Sequence, residues 1–243
     1  VQEHYTSTAL SAALDERVTA DRNALAILMP SGAHLEFLAF HPALARTIIV
    51  DDCVPGLAAP QVISDDEAGM FSAVKYLADL GHRTIGCIFS ELKTTGRNRL
   101  RGYQRAVREL GLASAVTLVE NGHFNMDRSA HACQAILSHH AECTALVCAN
   151  DYSALGAARH LKTRGRTPGL DFSLVGYGNY DISEALELTS VDQQIDRIHA
   201  QIMVLIDEYR DVGRMAPGVF SVPTELRIRS SCVVCAGLRR TPG

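Results

Sequence analysis

Two kinds of apolar run alternate along this chain. Short continuous blocks occupy Ala24–Met29, Arg46–Val50, Thr84–Phe89, Val116–Glu120, Ala145–Ala149 and Phe172–Gly176, each closed by polar, Gly or Pro residues. Blocks of this length, dominated by apolar residues, suit strands buried on both faces of a parallel sheet. Between them apolar residues recur at helical spacing. Ser7–Asp21 carries Leu10, Ala13, Leu14 and Val18 on one stripe. Glu67–Leu80, Arg97–Leu110 and Ser153–Arg164 are stopped by Gly81, Gly111 and Gly165, and Met126–His139 and Ile195–Tyr209 repeat the pattern. A short helix is predicted over His34–Phe40, the end of a strand at Val1–Tyr5, and a last extended segment at Val219–Ile228. Strand–helix alternation of this kind builds parallel sheets from βαβ units. The terminal Gly237–Gly243 reads as a disordered tail.

Composition adds mostly exclusions. The 243 residues suffice for one large domain or two lobes, and 47% hydrophobic with 21% charged residues is ordinary for a globular protein. A net charge of −4 offers no basic footprint for nucleic acid. No apolar run approaches the roughly 18–20 residues of a membrane span, and no signal segment opens the chain. Seven cysteines, several inside apolar blocks, read as buried thiols in a reducing compartment. Cys232-Val-Val-Cys235 has the spacing of half a zinc site, but no second pair completes it. His139-His140 likewise lacks partner ligands. There is no GxGxxG after a strand, phosphate loop, GxSxG elbow or HExxH, and no nucleophile–base pair, so an enzyme is not expected.

The most informative stretch is Cys148-Ala149-Asn150-Asp151-Tyr152-Ser153-Ala154-Leu155-Gly156-Ala157. An apolar strand ends there in an amide and a carboxylate and passes directly into a helix. Such a join sets polar side chains and free helix N–H groups at the carboxyl edge of a parallel sheet, where open α/β sheets bind ligands. Five further patterns surround it in order: Asp65-Asp66-Glu67-Ala68-Gly69 ahead of Leu80-Gly81-His82-Arg83; Arg99-Leu100-Arg101-Gly102-Tyr103; Ser173-Leu174-Val175-Gly176-Tyr177-Gly178-Asn179; Leu188-Thr189-Ser190-Val191-Asp192-Gln193; and Leu226-Arg227-Ile228-Arg229-Ser230-Ser231. Over residues 24–231 the set resembles the effector-binding core of the lactose/galactose-repressor family of bacterial transcription regulators.

The resemblance implies a type I periplasmic-binding-protein-like fold, two doubly wound α/β lobes with a small molecule, a sugar or related polar metabolite, in the cleft between them. Residues 1–66 plus 193–213 are expected to form the N-terminal lobe, 67–192 plus 218–233 the C-terminal lobe, and 234–243 a tail. It further implies a cytoplasmic homodimer that reaches operator DNA through a helix-turn-helix head absent from this chain, with no cofactor, no metal and no membrane. The family core opens with a strand, a helix and a second strand before the helix at residues 7–21, so the first βα unit is expected to be missing. A periplasmic solute receptor of the same fold is the alternative.

The same resemblance nominates site residues. Arg99 matches an arginine whose planar fork grips ligand oxygens; otherwise it is a solvated helix residue among Arg97, Arg101 and Arg105. Asn150 offers donor and acceptor to hydroxyls, or caps the helix at Ser153, a task for which Asp151 competes. Asp51 is a cleft-lining carboxylate or a strand-end turn. Phe124 is a stacking aromatic or an ordinary core or loop aromatic, Gln193 a ligand contact or a hinge brace, and Asp65 a cap or hinge residue rather than a ligand contact. Gly178 stands where the family usually carries an aspartate. Either Asn179 or Asp181 supplies the missing contact, or the effector is of another class, or the cleft has lost effector control.

Overall fold

The computed structural model describes residues 7–21, 23–30, 35–114 and 116–235. In chain order its elements are α1 (Ser7–Leu14, extended by a π-helical turn at Asp15–Thr19), β1 (Ala26–Leu28), β2 (Thr47–Val50), β3 (Pro60–Ser64), α2 (Asp66–Asp79), β4 (Ile85–Phe89), α3 (Thr94–Glu109), β5 (Val119–Asn121), α4 (Met126–His139), β6 (Ala145–Cys148), α5 (Asp151–Thr163), β7 (Ser173–Gly178), α6 (Asp181–Ala185), β8 (Thr189–Asp192), α7 (Ile195–Val212), β9 (Gly218–Val222) and β10 (Glu225–Arg227). Two compact units emerge. The first comprises Val1–Ser64, Leu92–Thr95 and Gln194–Val222; the second comprises Asp65–Glu91, Gly96–Gln193 and Pro223–Gly243.

The first unit is built on a parallel sheet ordered β1-β2-β3-β9. Its β2 is the run Thr-Ile-Ile-Val, buried at every position, and the period of two sends successive side chains to opposite faces. Ile49 packs with Leu14, Val18, Leu35, Leu38 and Leu57 on one side. Ile48 and Val50 pack on the other with Val62 and with Ile198, Ile202 and Leu205, which α7 presents at i, i+4 and i+7. Burying each such side chain contributes about 1.5–3 kcal/mol.

In the second unit the sheet runs β10-β8-β7-β6-β4-β5, parallel except for β10. Here β6 repeats the logic of β2. Ala145 and Val147 meet Met70, Val74, Leu77, Tyr103 and Val107 of α2 and α3, while Leu146 and Cys148 meet Ile136, Ala157 and Leu161 of α4 and α5. The chain leaves β4 for β5 on one side and returns to β6, β7 and β8 on the other. That reversal makes the carboxyl ends of β4 and β6 a topological switch point.

Several elements differ from the sequence expectation. Pro60–Ser64, which opens on Pro and carries Gln61 in mid-run, is a buried strand. The side chain of Gln61 is spent on the preceding loop, accepting from Val54 N–H at 2.6 Å and donating to Val54 O at 3.1 Å. Val219–Ile228 is not one segment: Pro223-Thr224 divides it into β9, paired with β3, and β10, paired with β8. Residues 218–222 therefore belong to the first unit, not with 67–192 as expected, because β9 completes that unit's sheet. Val116–Leu118 is a 3-10 turn leading into β5. The expected strand end at Val1–Tyr5 and the tail Gly237–Gly243 lie outside the described residues.

At the amino edge of the second sheet, the buried His82 ties three segments together. Its Nδ1 is 2.8 Å from Thr144 Oγ1, and its Nε2 is 2.8 Å from Ser173 Oγ and 3.0 Å from Val233 O. Cys235 N–H adds a bond to Leu80 O, so Ser231–Cys235 is stitched across that edge and the CxxC pair is part of the seam. All seven cysteines are free thiols, and burial pushes Cys143 up to about 11 and Cys133 to about 12, which keeps them protonated. Burial lowers the His82 pKa below its ordinary 6.5, against the raising effect of its bond to Val233. The folded state thus holds neutral His82, and the stability it contributes is complete above pH 6.5 and lost as pH falls below it. Urea unfolding should show this loss between pH 7.5 and 5. His82→Gln should cost about 2–3 kcal/mol at pH 7.5, from bonds worth about 1 kcal/mol each, and flatten the pH dependence.

Candidate functional site

Five of the six nominated residues lie at the carboxyl edge of the second unit's sheet. Asn150 follows β6, Asn179 follows β7, Gln193 follows β8, Phe124 follows β5, and Arg99 lies on α3, the helix entered after β4. Asp51 stands at the equivalent edge of the first unit, directly after β2.

Arg99 is 4% exposed, which excludes the solvated-helix reading. Its Nε donates to Asp66 Oδ1 at 2.8 Å, its Nη1 donates to Ala149 O at 2.7 Å, and its guanidinium carbon lies 3.8 Å above the centre of the Tyr177 ring. Asp66, in the first turn of α2, is fully buried, and Tyr177 is buried beside it. Burial and the neighbouring Asp66 keep the Tyr177 phenol protonated. The arginine therefore locks α2, α3, β6 and β7 together at their polar ends. Asp65 caps α2 by accepting from Ala68 N–H at 3.1 Å, as one of its two readings foresaw.

Asn150 caps α5: its Oδ1 accepts from Ser153 N–H at 2.8 Å. Asp151 does not compete for that task. Its Oδ1 accepts from Ser190 Oγ at 2.6 Å and its Oδ2 from Tyr180 N–H at 2.8 Å, joining α5 to β8 and to the turn after β7. Burial raises its pKa, opposed by those same hydrogen bonds. The carboxylate fits because Gly176 faces it; a Cβ there would sit 2.2 Å from Asp151 Oδ1.

Asn179 serves the protein on every side. Its N–H donates to Ser190 Oγ, its Nδ2 donates to Asp192 Oδ2 at 3.3 Å, and its Oδ1 accepts from Arg229 Nη2 at 2.7 Å. Asp192 also accepts from Arg227 Nε at 3.1 Å. Phe124 reaches Gly96 in the first turn of α3, where a Cβ would lie 3.2 Å from its ring. Gln193 is buried. In the first unit Asp51 Oδ2 pairs with Lys93 Nζ at 2.9 Å. Among the described residues no group of three or more His, Cys, Asp or Glu side chains is placed to hold a metal.

Gly178 has φ +116°, and a Cβ built on it would lie 2.7–3.0 Å from three carbons of the Tyr180 ring. The tyrosine occupies the space an aspartate side chain would need.

A family model described as a periplasmic binding protein-like domain matches residues 74–232. The chain belongs to this family. It is 30% identical over 191 residues to the HTH-type transcriptional repressor CytR of Escherichia coli K12, an alignment covering 77% of this chain and 56% of CytR. It is 32% identical over 188 residues to the HTH-type transcriptional repressor PurR of Pasteurella multocida, covering 76% and 56%. The chain thus spans about half the length of the curated relatives it matches. Among solved structures, a LacI family transcriptional regulator from Mycobacterium smegmatis superposes with a TM-score of 0.80 at 23% identity, over 95% of this chain and 86% of that one, which establishes the likeness of fold.

Within this periplasmic binding protein-like core, the buried Asp66, Asp151, Tyr177 and Ser190, with the half-buried Arg229, form a polar frame that the sequence motifs contain without assigning it a role. The available signal was charge at the ends of apolar strands: Asp66 after Ile63-Ser64, and Asp151 after Val147-Cys148. Which charge pairs with which depends on strand order, so Arg99 and Asp66, 33 residues apart, could not be matched beforehand.

Arg99→Ala should lower unfolding stability by about 3–5 kcal/mol in urea titrations, because Asp66 is left charged and buried; a loss below about 1 kcal/mol would contradict this arrangement. Gly178→Asp should cost about 1–3 kcal/mol from backbone strain alone. Adding Tyr180→Ala should recover the steric part but not the strain, which a double-mutant cycle of melting temperatures would resolve.

Proposed function

We propose that the chain is the effector-binding core of a bacterial transcription regulator. A small molecule binds at the carboxyl edge of the second unit's sheet and controls DNA binding by a helix-turn-helix domain outside these 243 residues. The observation that carries this reading is the convergence of Arg99, Phe124, Asn150, Asn179 and Gln193 on one sheet edge, at the switch point where doubly wound sheets take ligands. Two curated relatives named as transcriptional repressors support the regulatory half. They also favour it over the periplasmic solute receptor.

The roles at the edge divide. Arg99 and Asn179 position: one fixes Asp66 and Tyr177, the other joins β7 to Asp192 and Arg229. Asn150 contacts the ligand through its amide nitrogen while its oxygen caps α5. Phe124 and Gln193 line the edge. The active form is a cytoplasmic homodimer. The acidic balance of −4 agrees with DNA contacts made elsewhere in the protein, and seven free thiols agree with a reducing compartment. Among the described residues no helix is long and apolar enough to cross a membrane.

The test uses the full-length protein and the 243-residue chain side by side. The full-length protein should shift DNA fragments from upstream of its own gene with strong salt dependence, and the chain alone should not. Light scattering should report a dimer. In a thermal-shift screen, an effector at about 100 times its dissociation constant should add roughly 2.7 kcal/mol of stability and change the DNA affinity. DNA binding that no stabilising ligand alters would overturn the effector reading.

A further inference from the structure

The space beside Gly178 is occupied by an aromatic pair. The Tyr180 ring fills the space a side chain on Gly178 would take, and its ring centre is 5.9 Å from that of Tyr152, the planes inclined at 38°. Both rings are partly open, 39% exposed for Tyr180 and 48% for Tyr152. They come from adjacent strand ends: Tyr152 from the first turn of α5 after β6, Tyr180 from the turn after β7. Tyr180 is held by its own backbone, since its N–H donates to the buried Asp151. A tyrosine ring, with only two side-chain torsions to order, presents its face at little entropic cost.

The polar groups beside the pair are selective in what they leave over. Asp151 accepts from Ser190 and Tyr180, Asp192 from Asn179 and Arg227, and Asp66 from Arg99. The carboxylates set into this edge therefore hold protein donors, whereas a polyol needs acceptors for its hydroxyls. Asn150 is different. It is 8% exposed, its oxygen is taken by Ser153 N–H, and among the described residues no acceptor engages its Nδ2, which is not sealed from solvent. Around the aromatic pair the edge thus offers ring faces, the Asn150 amide donor and the exposed carboxylate of Asp181.

We propose, on the basis of the ligand-binding reading above, that this site takes a ligand bearing a flat unsaturated ring. The ring stacks on Tyr180 with Tyr152 flanking it, and a ring nitrogen or carbonyl oxygen accepts from Asn150 Nδ2. Tyr180 in place of a carboxylate beside residue 178 is then a specificity determinant, replacing hydroxyl recognition by stacking.

Isothermal titration of the chain with four ring probes (adenosine, uridine, nicotinate and indole-3-acetate) and four saturated probes (ribose, glucose, trehalose and glycerol) tests this. At least one ring probe should bind, and ribose should not match adenosine. Tyr180→Leu should weaken that binding about tenfold or more, as loss of a stacking aromatic does, and Tyr152→Leu should weaken it by a smaller factor. Because Tyr152 is half exposed, its variant guards against misfolding at Tyr180. Asn150→Asp should weaken binding about tenfold with the melting temperature kept, since Asp caps a helix as well as Asn but offers no donor. A saturated probe that binds independently of both tyrosines and is lost in Asp181→Asn would overturn the ring class while leaving the ligand-binding reading intact. Failure of every ring probe at millimolar concentration would overturn the proposal. If the saturated probes failed as well, that outcome would count against the ligand-binding reading too.

Discussion

Parallel strands buried on both faces leave a protein few places for polar chemistry. In both units the strand residues alternate between two apolar layers, as Ile48 and Ile49 do in β2 and Leu146 and Val147 in β6. Helices must cover both layers, and the polar groups of the strands are used up in the ladders. Only the two ends of each sheet remain. The second unit uses them differently: its amino edge closes over His82 and the Ser231–Cys235 seam, and its carboxyl edge gathers charge.

That gathered charge is almost wholly paired. Arg99 and Asp66 form an ion pair with side chains 5% and 0% exposed, and the arginine adds a backbone carbonyl and an aromatic face. Such a pair adds little net stability over an apolar substitute, yet breaking it is costly, so it enforces one arrangement of four elements. Asp151 does the same for α5, β8 and the turn after β7. The polar groups at this edge are thus largely committed to holding the fold's own elements in place.

Much of this was legible in the residues. The strand–helix alternation followed from apolar blocks and stopping glycines, and the family from six ordered motifs. The strand β3 was not legible, because Pro60 and Gln61 interrupt the apolar pattern; Gln61 is accommodated with its amide paired to Val54. Nor was the division of Val219–Ile228 between two sheets, since nothing local distinguishes an edge that pairs with β3 from one that pairs with β8. Gly178 was noticed as a departure, but the ring that fills its place was not.

The sequence by itself determined the alternation of elements and which polar residues fall at strand ends, because both are local: periodicity sets the element, and the residue after an apolar block must lie at an edge. Only the tertiary structure decided what those residues do. Asn150 as a cap with one spare donor, Asn179 as a brace and Arg99 as the partner of Asp66 depend on which strands lie side by side. That order is set by burial summed over the whole sheet, which no single stretch of chain contains.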